Sequence, residues 1–318
     1  MTGRQRMLKT LRFEEPDRPP HFESMFQLER EAFGLSFPEM GEWAGYSPGE
    51  RDRAIARCMA VYERIVGRYR WDALAVYFPW GDPAGIRAAR RTFGDSILVG
   101  GIISGTVWSI DSISDWEQFA ADLEERPEAL HAEAERRTVS ACSQYDAFAE
   151  AGAEFVYIAN DVAFNQGPFV SPARFREFVT PYWARQVAHA RTRGLIPFIH
   201  TDGNIMPILD ELLSLDAACL QSLDPMAGVD IAEVKRRCRG RLGLMGNVQC
   251  NLLQDGPEEA IRRSAEYCLT HASPGGGYVY STSNTIFPGM PLRHYEFMLQ
   301  VFDEFNARRA RPGQGGGS

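Results

Sequence analysis

Short apolar runs alternate along the chain with longer segments in which apolar residues recur every three or four positions. Eight of the short runs have the length and composition of buried strands, and they cover residues 21–26, 71–78, 97–103, 154–159, 195–200, 217–222, 242–246 and 278–282. The longer amphipathic segments predict helices, over residues 5–13, 48–69, 115–152 (with a break at Pro127), 171–193, 206–215, 231–237, 257–272 and 292–308.

This alternation of strands and helices indicates the α/β class, and its leading interpretation is a single (β/α)8 TIM-type barrel with an N-terminal helical extension. A doubly wound open sheet is the alternative, although no Gly-x-Gly-x-x-Gly sequence follows the first predicted strand. We expect one barrel domain over residues 1–311, followed by a disordered glycine-rich tail over residues 312–318.

The fifth predicted strand ends in a histidine and an aspartate, residue types that can transfer protons or bind a metal ion. Its apolar run leads directly into His200, Thr201, Asp202 and Gly203, and a helical pattern follows. Barrel enzymes place catalytic groups at the C-terminal ends of their strands, so this stretch is a candidate active-site segment. The same residues equally suit a turn and a helix cap, and only their neighbours decide between the two interpretations.

In a barrel, the C-terminal ends of all the strands meet in one mouth. The polar and aromatic residues at the predicted ends are Glu23, Tyr77, Trp80, Ser104, Thr106, Asn160, Asp161, His200, Asp202, Gln221, Asp224, Asn247, Ser283 and Asn284. His200 can shuttle protons or ligate a metal, with Asp202 and Asp161 as its catalytic partners. The residues expected to bind substrate are Glu23, Tyr77, Trp80, Gln221, Asn247 and Asn284.

Composition excludes several classes of partner. The 318 residues carry a formal net charge of -8, and no cluster of lysine and arginine is flanked by aromatic residues, so the chain is not expected to bind nucleic acid. An acidic surface also disfavours binding to anionic membranes. No apolar run approaches the ~20 residues of a membrane span, and the first residues lack the apolar segment of a secretory signal. Six scattered cysteines without a Cys-x-x-Cys pair indicate reduced thiols and a cytoplasmic location.

A series of short motifs follows one order along almost the whole chain. They are the opening helix and its exit over residues 4–20, Trp71-Asp72-Ala73-Leu74, Ala151-Gly152-Ala153-Glu154 leading to Asn160-Asp161, Gly167-Pro168 leading to Pro181-Tyr182, His200-x-Asp202-Gly203, Gly246-Asn247 and Gly275-Gly276-Gly277-Tyr278. This series resembles the uroporphyrinogen decarboxylase superfamily, and the resemblance implies a TIM-type barrel with its site at the C-terminal strand ends.

One branch of that superfamily decarboxylates a polycarboxylate tetrapyrrole. Its members carry an arginine-bearing N-terminal motif and an aspartate that contacts the pyrrole nitrogens. Here residues 21–26 contain no arginine, whereas Asp72 corresponds to the aspartate. The resemblance therefore implies a catalytic role for Asp72. Heme-pathway activity itself is not expected, because an acidic mouth repels the carboxylates of such a substrate.

The second branch, the corrinoid-linked methyltransferases, uses zinc. Members that activate a thiol carry His-x-Cys and a later cysteine, but Asp202 occupies the cysteine position here and residues 281–284 contain none. A zinc–thiolate site is therefore not expected. Members that demethylate a substrate have a Glu–Glu–His arrangement, and by that resemblance Asp161, Glu177 and His200 are the candidate zinc ligands.

The resulting hypothesis is an enzyme of this superfamily that transfers a methyl group from a small organic substrate to a separate corrinoid protein. Zinc is the candidate cofactor, no organic cofactor is expected on this chain, and a homodimer is one candidate assembly. The alternative is a cofactor-independent decarboxylase of a porphyrin or small acid, in which Asp72 or Asp161 stabilises the cationic intermediate and His200 donates a proton. A third alternative is a barrel that binds its ligand without catalysis.

Overall fold

The computed structural model describes residues 1–38, 40–79, 81–238 and 240–310. The strands within these ranges are β1 (Ala73–Val76), β2 (Leu98–Ser104), β3 (Phe155–Ala159), β4 (Ala163–Phe164), β5 (Gly167–Pro168), β6 (Ile196–Thr201), β7 (Cys219–Ser222), β8 (Gly243–Val248) and β9 (Tyr278–Thr282). The helices are α1 (Gly3–Leu11), α2 (Glu29–Phe33), α3 (Pro48–Tyr69), α4 (Pro83–Phe93), α5 (Trp116–Glu125), α6 (Pro127–Glu150), α7 (Pro172–Phe178), α8 (Thr180–Thr192), α9 (Leu209–Ser214), α10 (Ile231–Cys238), α11 (Cys250–Asp255), α12 (Glu258–Ala272) and α13 (Leu292–Arg309).

Seven of the strands form one curled parallel sheet in the order β1-β2-β3-β6-β7-β8-β9. The remaining two, β4 and β5, form a short antiparallel hairpin directly after β3. Parallel strands need crossover connections, and the helices that make these connections cover the sheet. The strands are accordingly buried along nearly their whole length, and their carboxyl ends all meet at the same edge of the sheet.

An extended segment, residues 20–26, lies between the two edge strands of this sheet. On one side the main-chain N–H of Asp72, just before β1, donates to the carbonyl of His21 (2.8 Å). On the other side two isolated parallel bridges join the segment to β9 and to the residues that follow β9. Because the segment pairs through single bridges and not through a continuous ladder, the strand predicted at 21–26 is wrong. The α/β class is confirmed, with seven strands in the sheet where eight were predicted.

Helix α1 is the predicted N-terminal helical extension. It begins with a capping box in which Thr2 and Gln5 satisfy each other's main-chain N–H groups. At its other end the carbonyl of Thr10 accepts from the N–H of Gly277, just before β9 (2.9 Å). This contact holds α1 against the N-terminal edge of the sheet and leaves the C-terminal edge available for a site.

Most of the other predicted elements are present, with shifted ends. The helix predicted over residues 115–152 is divided at Pro127 into α5 and α6, as the proline indicates. Helices α2, α4 and α11 and the β4–β5 hairpin were not predicted. The predicted glycine-rich tail, residues 312–318, lies outside the described residues. Among the residues that are described, no helix is both long enough and apolar enough to cross a bilayer.

Candidate functional site

Strands β3 and β6 lie side by side, and each leads into an acidic residue. Their pairing register sets Ala159 opposite His200. Asp161 follows β3 by two residues, and Asp202 directly follows β6. The main-chain N–H of Asp202 donates to Oδ1 of Asp161 (3.0 Å). The register thus brings together three polar side chains that are far apart in the chain.

Asp161, His200 and Asp202 form one group of ligand-type atoms. Nε2 of His200 lies 3.5 Å from Oδ1 of Asp161 and 3.9 Å from Oδ1 of Asp202. One ligand atom from each residue lies within 4.8 Å of the other two. An imidazole nitrogen facing two carboxylates is a donor set that suits a divalent metal ion.

Gln221 in β7 contacts the nitrogen of the His200 ring that faces away from the two aspartates. Oε1 of Gln221 contacts Nδ1 of His200 and also accepts the hydroxyl of Tyr157 (2.6 Å), while its Nε2 donates to the carbonyl of Thr282 (3.4 Å). Since an amide oxygen only accepts, Nδ1 of a neutral His200 carries the proton and Nε2 keeps its lone pair. The lone pair then faces the two aspartates, which is the tautomer that a metal ligand needs.

The two carboxylate oxygens of Asp202 have different surroundings. Nδ2 of Asn284 donates to its Oδ2, whereas its buried Oδ1 has no hydrogen-bond partner among the described residues. Burial raises the pKa of Asp202; nearby His200 and the hydroxyl of Ser222 oppose the shift, and the carboxylates of Asp161 and Asp224 add to it. A buried oxygen without a partner is costly, and a cation at this position would stabilise it.

Gly203 allows the hairpin to pack beside the site. Its φ is +82°, and a Cβ at this position would lie 2.2 Å from the carbonyl oxygen of Ala163 in β4. The N–H of Asn204 donates to the carbonyl of Phe164 at this contact (2.9 Å). A side chain at position 203 would therefore displace the hairpin, which explains the glycine after Asp202.

Two cavities meet at Asp202. One, of about 390 Å³, lies on the hairpin side and is lined by Asp111, Asp161 and Phe164 among others. The second, of about 340 Å³, lies toward the loops after β7, β8 and β9. Cavities of this size hold small organic molecules. The arrangement therefore places the three-residue group between two candidate substrate compartments.

Glu23, predicted to bind substrate, is fully buried below the end of β9. Its Oε2 accepts from the hydroxyl of Ser281 (2.6 Å) and from the N–H and the hydroxyl of Thr282 (3.0 and 2.8 Å). Its Oε1 has no partner among the described residues and lies 4.0 Å from Nδ1 of His21. Burial outweighs these hydrogen bonds and raises the pKa of Glu23 to about 7.

A linkage between pH and stability follows for Glu23. Its folded pKa lies above its ordinary value, so the neutral acid stabilises the fold fully below about pH 4.5, and this contribution is lost as the pH rises through about 7. We therefore expect the free energy of unfolding of the wild type, measured relative to that of Glu23→Gln, to fall by up to about 3 kcal/mol over that pH range. Urea unfolding of both proteins between pH 4.5 and 8 measures the difference.

The comparison with Glu23→Gln also removes the contribution of His21 to the pH dependence. Burial lowers the pKa of His21 to about 3, so its neutral ring makes the fold more stable as the pH rises, opposite to Glu23. His21 stays in both proteins, and its neutral ring donates from Nδ1 to the carbonyl of Tyr280 (3.0 Å). A stability difference that does not change with pH would show that Glu23 is ionised in the fold throughout.

Two other predicted site residues are buried away from the cavities. Asp72 lies at the N-terminal edge of the sheet, opposite to His200, and its carboxylate binds Arg6 (2.6 Å) and Arg18 (2.7 Å). The hydroxyl of Tyr77 donates to the carbonyl of Phe26 (2.9 Å) inside the core. Trp80 lies outside the described residues.

The structure also separates Glu177 and Asn247 from the group. Glu177 is on the surface of α7, where it pairs with Arg174 (3.0 Å), and the group that could hold a metal ion contains Asp202 beside Asp161 and His200. Asn247 is buried, and its Nδ2 donates to the carbonyl of Leu223 (2.6 Å). A separate cavity of about 540 Å³ lies next to Asn247, between the loop after β7 and α12.

Sequence reasoning missed two contributors to the site. Tyr157 is in the middle of β3, where the pattern shows only an apolar run, and its hydroxyl supports Gln221. Its signal was available, because the hydroxyl of a buried tyrosine normally finds a hydrogen-bond partner. Phe287 lines the 340 Å³ cavity from a loop after β9, and nothing local marks it.

The chain is similar to known proteins over most of its length. The family model of uroporphyrinogen decarboxylase (URO-D) matches residues 84–305. A uroporphyrinogen decarboxylase of Pseudomonas fluorescens is 26% identical over 219 residues, 64% of this chain and 58% of that protein. The methylcobamide:CoM methyltransferase MtaA of Methanosarcina barkeri is 26% identical over 229 residues, 70% of this chain and 62% of that protein. The chain thus spans less than two thirds of the length of these curated relatives.

A solved structure has the same fold. A methyltransferase from Methanosarcina mazei superposes with a TM-score of 0.74, and the superposition covers 96% of this chain and 99% of that one. The two sequences are 20% identical, so the likeness concerns the arrangement of strands and helices.

Proposed function

The chain belongs to the uroporphyrinogen decarboxylase family, and on that premise we propose that it is a metal-dependent methyltransferase, which takes a methyl group from a small organic substrate and passes it to a corrinoid held by a separate protein. The observation that carries this proposal is the grouping of Asp161, His200 and Asp202 between two cavities at the C-terminal strand ends. The similarity to the methylcobamide:CoM methyltransferase supports the choice of methyl transfer.

The donor atoms fit a metal ion, and zinc is the metal we propose for them. Nε2 of His200 and one oxygen each of Asp161 and Asp202 would hold it, and the unpartnered Oδ1 of Asp202 is the oxygen most in need of a cation. A bound zinc ion supplies Lewis acidity toward the leaving group of the substrate. Gln221 keeps the proton of His200 on Nδ1, and Asn284 fixes the orientation of Asp202.

Decarboxylation of a tetrapyrrole is the activity in the name of the Pseudomonas relative. The two cavities beside Asp202 are lined by the further carboxylates of Asp111, Asp161 and Asp224, and no lysine or arginine is among the described residues that line them. A substrate with several carboxylates would be repelled there, because the described lining offers no cationic side chain to pair with them. The charge of the site therefore favours methyl transfer over decarboxylation of a polycarboxylate.

Removal of the metal tests this function. We expect treatment with a chelator to abolish methylation of a corrinoid protein, and zinc to restore it, because the leaving group then loses and regains its Lewis acid. The corrinoid absorption spectrum reports the transfer, and elemental analysis reports the metal content. Full transfer by metal-free protein would refute the zinc mechanism. Metal-independent release of carbon dioxide would establish a decarboxylase, and ligand binding without any turnover would establish a binding barrel.

A further inference from the structure

The 340 Å³ cavity contains a carboxylate that the proposed metal site does not use. Asp224 follows β7 by two residues, is half-buried and lines this cavity together with Asp202. Its Oδ1 accepts from the main-chain N–H of Met226 (2.9 Å), and it forms no ion pair with any residue that the structure describes. The carboxylate is therefore available to a ligand in the cavity.

The balance of charge leaves Asp224 unpaired even when a metal is bound. A divalent ion balances the two carboxylates of Asp161 and Asp202, and a neutral His200 adds no charge. Within the part of the chain that the structure describes, no lysine or arginine lines the cavity, so no cationic side chain there balances the negative charge of Asp224. A half-buried charge is screened less by solvent than an exposed one, which makes it an effective site for a positive group.

The same cavity also has apolar residues in its lining. Phe287 and Met226, the latter 52% exposed, are among the residues that line it. A cavity lined by a carboxylate, an aromatic residue and a thioether suits a cation whose charge is spread over methyl groups, because such a cation is weakly hydrated and polarisable. A compact ammonium ion would lose more hydration energy on entering such a cavity.

We propose that this cavity binds the positively charged head of a methylated organic ammonium substrate between Asp224 and Phe287. The inference rests on the proposed function and names the chemical class of its substrate. Asp202 lines the same cavity, so the neighbouring part of the substrate, which carries the transferred methyl group on an atom with a lone pair for the metal, would lie on the side of the three-residue group. The hairpin-side cavity is the weaker candidate because its additional carboxylate, Asp111, is exposed.

Calorimetric titration with a matched pair of probes tests the proposal. Choline and 3,3-dimethylbutan-1-ol have nearly the same shape and differ in the charge of the central atom. We expect the metal-loaded protein to bind choline at least about tenfold more tightly than the neutral alcohol. Asp224→Asn keeps the oxygen that accepts from Met226, so it should weaken choline binding about tenfold and leave the alcohol and the metal content unchanged.

Asp111→Asn is the matched control, since it removes one negative charge on the other side of Asp202 and should leave choline binding unchanged. Equal affinity for both probes, no binding of choline, or choline binding that is insensitive to Asp224→Asn would each overturn the inference. Charge-selective, Asp224-dependent binding in a protein that transfers no methyl group would uphold the cation site and refute the proposed function. The two failures are therefore distinguishable.

Discussion

Replacing His200 with alanine is expected to abolish both metal binding and methyl transfer. The variant removes the nitrogen donor of the group that we propose binds the metal, and it leaves the carboxylates of Asp161 and Asp202 without a neutral partner. Loss of an outer partner of a metal ligand already costs about 10- to 100-fold in metal affinity or activity, so loss of the ligand itself should cost at least about 100-fold. Elemental analysis and a zinc titration of the purified variant measure the effect.

Two further variants sharpen this experiment. Gln221→Leu removes the acceptor behind Nδ1 and should weaken metal binding by about 10- to 100-fold, because the ring loses its fixed tautomer and orientation. His189→Ala removes a histidine of α8 that pairs with Asp146 (2.8 Å) far from the strand ends, and it should change neither property. One metal ion per chain retained in His200→Ala would disprove the assignment of the three ligands.

Replacing Asp72 with alanine is expected to destabilise the fold by about 3 to 5 kcal/mol. The residue is 2% exposed and accepts from Arg6 (2.6 Å), Arg18 (2.7 Å) and the main-chain N–H of His21 (2.8 Å). Its removal leaves the buried guanidinium of Arg6 with one of its two anions and takes from the partly buried guanidinium of Arg18 the carboxylate that it pairs with, and this loss of charge compensation is the source of the destabilisation. Asp17, which still pairs with Arg6 (2.6 Å), should keep the effect near the lower figure.

Urea unfolding with linear extrapolation measures this change. Asp95→Asn is the control, because Asp95 also pairs with an arginine (3.4 Å) but its side chain is 80% exposed, and the expected loss is below about 1 kcal/mol. Metal content should be the same in Asp72→Ala as in the wild type. A variant that keeps its stability and loses activity would instead support the catalytic role that the family resemblance implies for Asp72.

Local patterns in the sequence were sufficient for much of the fold. The apolar runs located seven strands of the parallel sheet, and Pro127 located the break between α5 and α6. The segment 21–26 has the same apolar character, yet it makes only isolated bridges. Whether an extended segment becomes a strand depends on hydrogen-bond partners supplied by distant residues, and a local pattern does not contain them.

For the candidate site as well, the sequence determined some features and the tertiary structure decided others. The sequence by itself determined that His200 and Asp202 follow a buried run and that Asp161 follows another, because strand polarity is a local property. Only the tertiary structure decided that β3 and β6 are neighbours in a register that brings these three together, that Gln221 orients the ring, and that Glu177 faces away on α7. The physical reason is that side-chain distances across a sheet are set by strand order and register, which arise from the packing of the whole chain.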